Sequence, residues 1–246
     1  MRSIAEEECD AAEQRGETGY PAMWAADRIE IIEDCLRWLE VERDDPRVRD
    51  LPHGACEARF GRRYPGEAVG ELSRDEPIEI ELPSGETLRL SGRIDRITWD
   101  KGKPPARFQV LDYKTGHVRD ERSGQLQGGR MIQLPLYVLA GAELLDADPL
   151  VGEAAYVYPT RRGDFSTVEW TGQDLAERHD EVLGLLAAIL DGVARGDFMV
   201  APHKVDSACT YCDFNPICPR QREAYVKRKA GDDRLSLFAQ QVRAVE

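Results

Sequence analysis

Apolar positions along the chain change period several times, and each change marks an element. Between Pro21 and Glu42, the residues Trp24, Ile31, Ile32, Leu36 and Leu39 recur at roughly helical spacing, and the segment ends in an acidic, proline-containing stretch from Glu42 to Pro46. This predicts a helix packed against a neighbour. From Glu57 to Val118 the pattern shortens to runs separated by turn residues: EARFG, then IEIELPSGETLRLSGRIDRITWD, then ARFQVLDYKTG. Ser84-Gly85 and the stretch from Gly102 to Pro105 are turn signals, so the region reads as an antiparallel meander of strands. A helical run from Arg130 to Leu145 follows, then a strand from Ala154 to Tyr158 and a long amphipathic helix from about Gln173 to Arg195. The order of helix, meander, helix, strand and helix predicts an α/β (α+β) layered domain.

Composition narrows the class without choosing a function. A chain of 246 residues with 41% hydrophobic content can bury an ordinary core as one large domain or two small ones. No apolar run approaches the ~20 residues that span a bilayer, and the opening MRSIAEEECDAAEQRGE lacks the apolar centre of a secretory signal. A cytoplasmic chain with no membrane contact is expected. The formal charge of −13 argues against a surface that grips nucleic acid everywhere, but it leaves room for a local basic groove or a metal-bridged phosphate. Residues 1–50 carry 15 acids against 7 bases, whereas Arg220, Arg222, Lys227, Arg228 and Lys229 stand against Glu223 alone. Contact with a polyanion should therefore involve the end of the chain.

The candidate chemistry lies in LSGRIDRITW and ARFQVLDYKTG. A hairpin folded between Lys103 and Pro104 places Asp95 opposite Asp112, and strand alternation puts Asp112 and Lys114 on one face. Two carboxylates packed together repel unless a cation lies between them. Oxygen ligands with open positions suit Mg2+ or Mn2+, which can polarise a phosphodiester and activate a bound water, with the Lys114 ammonium orienting that water. Spacing alone is equally that of a surface hairpin carrying ordinary ion pairs. Gln133 and Tyr137 are one helical turn apart on one face, an arrangement that also fits a core tyrosine beside a half-exposed amide.

GRIDRI (Gly92 to Ile97), LDYKTG (Leu111 to Gly116), QLPLY (Gln133 to Tyr137) and CTYCDFNPIC (Cys209 to Cys218) occur in this order. Together they resemble the motifs of the RecB/AddB-type nuclease domain of the PD-(D/E)XK superfamily, over about Pro21 to Lys229. The resemblance implies a restriction-endonuclease-like core, a mixed sheet with an antiparallel catalytic hairpin flanked by helices, over residues 21–200. An acidic segment, 1–20, would precede it, and the cysteine cluster and basic tail, 201–246, would follow. It implies that Asp95 is a metal ligand, that Asp112 and Lys114 are the (D/E)XK pair, and that the Tyr113 carbonyl is a further ligand. Gln133 and Tyr137 would support the hairpin or the DNA strand. Such domains hydrolyse DNA in helicase-nuclease machines for double-strand break repair and recombination. The implied activity is a Mg2+-dependent nuclease, an exonuclease on single strands. This chain has no G-x-x-x-x-G-K-[ST], so a helicase subunit or an upstream motor domain is expected as partner. The alternative is a non-catalytic DNA-binding or subunit-docking module of the same fold.

Cys209, Cys212 and Cys218 supply three soft ligands, and a tetrahedral site needs a fourth. The resemblance implies a [4Fe-4S] cluster completed by an upstream cysteine in a Cys-Pro context, near a first helix that brings a histidine. Neither is visible here, and the chain is expected to be start-trimmed relative to that family. Cys9 is the most N-terminal candidate, Cys35 reads as a buried helix residue and Cys56 as a strand residue. His203 keeps a Cys3His Zn2+ site open, including a zinc-ribbon regulator, while His53 reads as a surface loop residue. Tyr211 and Phe214 would shield a cluster. The bases after Cys218 could follow a DNA backbone or form a solvated helix face.

Overall fold

The computed structural model describes residues 2–62, 70–118, 121–129, 131–197 and 212–218, with Ala224 and Arg228. Helices α1 (Arg2–Arg15) and α2 (Pro21–Asp44) open the chain. They pair through polar contacts: Arg28 reaches Asp10 at 2.6 Å and Glu13 at 2.9 Å, and the Trp24 indole donates to Glu13 at 2.6 Å. One turn, α3 (Pro46–Arg49), leads into the strands β1 (His53–Phe60), β2 (Ile78–Glu81), β3 (Thr87–Leu90), β4 (Gly92–Trp99) and β5 (Phe108–Tyr113). Then come α4 (Gln133–Leu145), β6 (Gly152–Val157), β7 (Thr167–Thr171), α5 (Gly172–Glu177) and α6 (His179–Arg195).

Five strands form one sheet in the order β1-β4-β5-β6-β7. Within it the β5-β6 step is parallel, with α4 as its crossover, and the other steps are antiparallel, so the sheet is mixed and the α/β expectation holds. The meander differs from expectation. β2 and β3 fold about the Ser84-Gly85 turn, but they form a separate two-stranded sheet, and β4 pairs instead with β1. Ile78 and Ile80 still point into the main core, so the alternation of β2 holds although its partner strand differs. Strand β7 is an addition to the predicted elements, with Val168 and Trp170 alternating inward along it. The predicted helix from Gln173 to Arg195 breaks at Arg178, which leaves the helical region at φ −115°, ψ 16°. A reciprocal Thr171–Asp174 capping box starts α5 directly off β7 and seats Leu175. The chain then turns so that Val182, Leu183, Leu185 and Leu186 of α6 enter the same core.

Helix α4 lies hard against β5. A Cβ on Gly141 would come within 2.7 Å of Val110 Cγ2 and 2.8 Å of Phe108 Cε2, so only glycine lets the helix backbone approach this closely. Phe108 and Val110 face α4, and strand alternation sends Asp112 to that same face. The opposite face is narrower, with Leu111, Ala155 and Val157 covered by Trp38 of α2 and by Tyr113. On α2 only Ile32 and Asp34 are buried, while Ile31 and Leu39 are exposed and Cys35 is exposed rather than buried as expected. The reason is that polar clamps hold this helix. The Arg161 backbone N–H and Nε donate to Asp34 at 3.2 and 3.0 Å, and Arg96 pairs with Glu42. Among the described residues, no helix is long and apolar enough to cross a membrane.

Candidate active site

The β4-β5 hairpin is set by its turn. The Asp100 carboxylate accepts from the N–H groups of Gly102 (2.8 Å) and Ala106 (3.1 Å), and Asp100 N–H donates to the Arg107 carbonyl at 3.1 Å. The paired residues run from Trp99↔Phe108 to Arg96↔Leu111, a register centred between Lys103 and Pro104. Carried one residue further, it sets Asp95 across from Asp112. The ladder stops there, and in place of the next rung the Tyr113 N–H donates to Asp95 Oδ2 at 2.9 Å. On its other side, β4 pairs with Cys56 and Ala58 but skips Glu57, which is left-handed at φ 55°. At Asp95, therefore, β4 is released from both neighbours.

Asp112 is buried, 5% exposed, and the side chains that reach its carboxylate are donors. Its Oδ1 accepts from Gln133 Nε2 and from the Tyr137 hydroxyl, each at 3.2 Å. Its Oδ2 lies 2.5 Å from Lys114 Nζ but takes part in no well-directed hydrogen bond. Gln133 Nε2 also donates to the Tyr137 oxygen at 2.8 Å, and that hydroxyl lies 3.3 Å from the Arg93 carbonyl. Burial pushes the Tyr137 phenol far above its ordinary range, with the Asp112 carboxylate and then Asp95 adding to the effect. The phenol therefore stays a donor at any physiological pH.

The structure thus brings Asp112, Lys114, Gln133 and Tyr137 into one bonded group, with Asp95 and the Tyr113 backbone at its edge. Tyr137 belongs to the core and bonds Asp112 at once. Sequence reasoning missed Tyr156, which stands beside Asp112 in the parallel β5-β6 register. Its hydroxyl donates to Gln133 Oε1 at 3.0 Å, and its ring lies 5.0 Å below Lys114 Nζ. Alternation in AAYVYP could have placed Tyr156 on the inner face, but its partner strand lies across a helical crossover. Lys114 and Tyr156 line an open cleft of about 580 Å³ that continues past Gly116, His117 and Tyr158. Behind the hairpin, Arg96 links Glu42 of α2 to the Tyr113 hydroxyl at 3.3 Å.

The oxygen set fits a hard divalent cation. Asp112 Oδ2 is buried without a directed hydrogen bond, and an ammonium already rests against it. Among the described residues no three His, Cys, Asp or Glu side chains group as a metal cage. Carboxylates with remaining positions left to a carbonyl, water or substrate suit a hard divalent cation that keeps part of its hydration.

The cysteine expectation falls largely outside the described residues, which exclude Cys209, His203, Tyr211, Arg220, Arg222, Lys227 and Lys229. Cys212 is exposed and Cys218 half-buried, on consecutive turns where Cys218 N–H donates to the Phe214 carbonyl at 3.0 Å. Phe214, expected as a shield, is 69% exposed. Cys9 is buried in α1 and Cys56 exposed on β1. His53 is exposed as expected, though on the first residue of β1 rather than in a loop, and it stacks on Trp99 at the far end of β4 from Asp95.

An ATP-dependent helicase/deoxyribonuclease subunit from Symbiobacterium thermophilum is 27% identical over 209 residues, covering 60% of this chain and 18% of that protein. The protein of the same name from Clostridium novyi is 30% identical over 164 residues, covering 60% of this chain and 14% of its own. The one from Acetivibrio thermocellus is 39% identical over 79 residues, 32% of this chain and 7% of that protein. The chain thus matches less than a fifth of the length of each of these relatives. The family model of the PD-(D/E)XK nuclease superfamily matches residues 1–219. With that span matched, and a mixed sheet presenting the Asp112–Lys114 pair at the end of its central strand, the chain belongs to the PD-(D/E)XK nuclease superfamily.

Proposed function

We propose that this chain is a divalent-metal-dependent DNA nuclease that hydrolyses phosphodiesters of single strands, as an exonuclease, within a helicase-nuclease system for double-strand break repair and recombination. One observation carries the reading: a buried Asp112 held by Lys114, Gln133 and Tyr137, with the Asp95 carboxylate on the N–H of the next residue, Tyr113. The names of the relatives pair a deoxyribonuclease with a helicase, which supports a motor as partner.

Asp95, Asp112 and the Tyr113 carbonyl are the groups that would hold the cation. When bound, it would polarise the phosphodiester and lower the pKa of a coordinated water. The residues of the chain supply the rest. Gln133 and Tyr137 fix the Asp112 carboxylate through Oδ1 and leave the buried Oδ2 to Lys114. Lys114, 39% exposed, stands between that oxygen and the cleft, where its ammonium can orient a water and offset charge developing on phosphate oxygens. The cleft gives an extended strand access, with the Tyr156 and Tyr158 side chains along its wall.

The test uses linear single-stranded DNA. Cleavage is expected with Mg2+ or Mn2+, to vanish with a chelator, and to exceed that of blunt duplex. A chain that binds DNA but does not cut with either ion would overturn the nuclease reading and leave a binding module. Cys209, Cys212 and Cys218 are proposed, on the family resemblance, to hold a [4Fe-4S] cluster. Protein purified without oxygen should then contain about four iron and four sulfide per chain, with broad visible absorbance. Zinc without sulfide would replace that assignment with the Cys3His site.

A further inference from the structure

We propose that Tyr156 is a positioning residue that orients Gln133, so that the amide nitrogen rather than its oxygen faces Asp112. The inference rests on the proposed function only for its catalytic consequence. A glutamine amide has a donor end and an acceptor end of nearly equal size, so packing alone does not choose between its two orientations. Turned the wrong way, Gln133 Oε1 would face Asp112 Oδ1, acceptor against acceptor, in a buried site.

Tyr156 and the Asp112 carboxylate grip the two ends of the amide. The Tyr156 hydroxyl donates to Oε1 at 3.0 Å and holds that end of the amide, while Asp112, which can only accept, takes Nε2 at 3.2 Å beside the Tyr137 oxygen at 2.8 Å. The donors then run in one direction, from Tyr156 through Gln133 to the Asp112 carboxylate. The same phenol carries the Lys114 ammonium over its ring at 5.0 Å, so one buried side chain bears on one partner of each Asp112 oxygen. Tyr156→Phe keeps the ring and its packing, and removes only the hydroxyl that holds the Oε1 end of the amide.

The decisive measurement is made on the metal-free chain. The Gln133 side-chain amide pair is assigned in 15N–1H spectra by its loss in Gln133→Ala. In wild type the pair should be shifted from free-glutamine positions and slow to exchange with solvent. In Tyr156→Phe it should move toward those positions and exchange faster, while backbone resonances away from the site stay in place. An unchanged pair overturns the proposal, whatever the chain does to DNA.

The functional consequence is read separately. Mn2+ titrated by electron paramagnetic resonance should bind about tenfold more weakly to Tyr156→Phe, the scale seen when outer partners of metal-binding groups are lost. The Tyr156→Phe/Gln133→Ala double variant should bind no more weakly than Gln133→Ala alone, because the hydroxyl acts only through that amide. Losses that multiply would overturn action through Gln133. If the amide pair responds as expected but wild type cuts no DNA, the nuclease reading fails and the positioning role stands.

Discussion

Asp112→Asn is expected to lower the single-turnover rate of DNA cleavage by roughly a thousandfold or more, the scale of losing a preorganised electrostatic group, with the fold intact. The substitution preserves volume at a site only 5% exposed, and its remaining oxygen can still accept from Gln133 and Tyr137. What it removes is the charge. Lys114 loses its partner but is 39% exposed, so its ammonium can turn into the cleft and be hydrated. Removing a buried charge whose partner reaches water is close to neutral for folding. Thermal unfolding should therefore stay within a few degrees of wild type while cleavage disappears. A variant that cuts at the wild-type rate would remove Asp112 from the chemistry.

Lys114→Met reverses that balance. Cleavage should fall by about a hundredfold or more, and stability should fall as well, by roughly 2 to 3 kcal/mol. Here the abandoned partner is the buried one: Asp112 Oδ2, with no directed hydrogen bond, loses the charge resting against it. Methionine fills the stem volume and leaves the Tyr156 ring packed. A divalent cation should recover much of the lost stability, because it supplies the missing positive charge. Differential scanning calorimetry with and without Mg2+ checks this, and the Mg2+-induced rise in Tm should be larger for Lys114→Met than for wild type. Equal shifts would mean that the cation does not bind beside Asp112.

The parts of this site that can be read from sequence are those set by local geometry. The facing of Asp95 and Asp112 follows from one turn position, the shared face of Asp112 and Lys114 from strand alternation, and the approach of Gln133 to Tyr137 from a single helical turn. Tyr156 escapes because its adjacency to Asp112 depends on a parallel pairing made across α4, and no local pattern encodes which strands meet that way. The same limit hides β7 and the separation of β2-β3 from the main sheet. On α2 the difference is of another kind. Its apolar spacing suggests a buried face, but the helix is held by Asp34 and Glu42 against Arg161 and Arg96, so Cys35 and Ile31 remain in solvent. Helix α1 carries almost no apolar periodicity to read, since it docks through carboxylates on Arg28.

The release of β4 at Asp95 makes the two jaws of the site unequal. Asp112 rides on the central strand, paired there with Tyr156 of β6 and backed by α4, so its position is fixed from two sides. Asp95 is tethered by the Tyr113 amide, beside a left-handed residue that interrupts the adjoining strand. Ions of different radius would thus be accommodated by adjustment on the Asp95 side alone, with the Asp112 side acting as the fixed reference for the scissile bond.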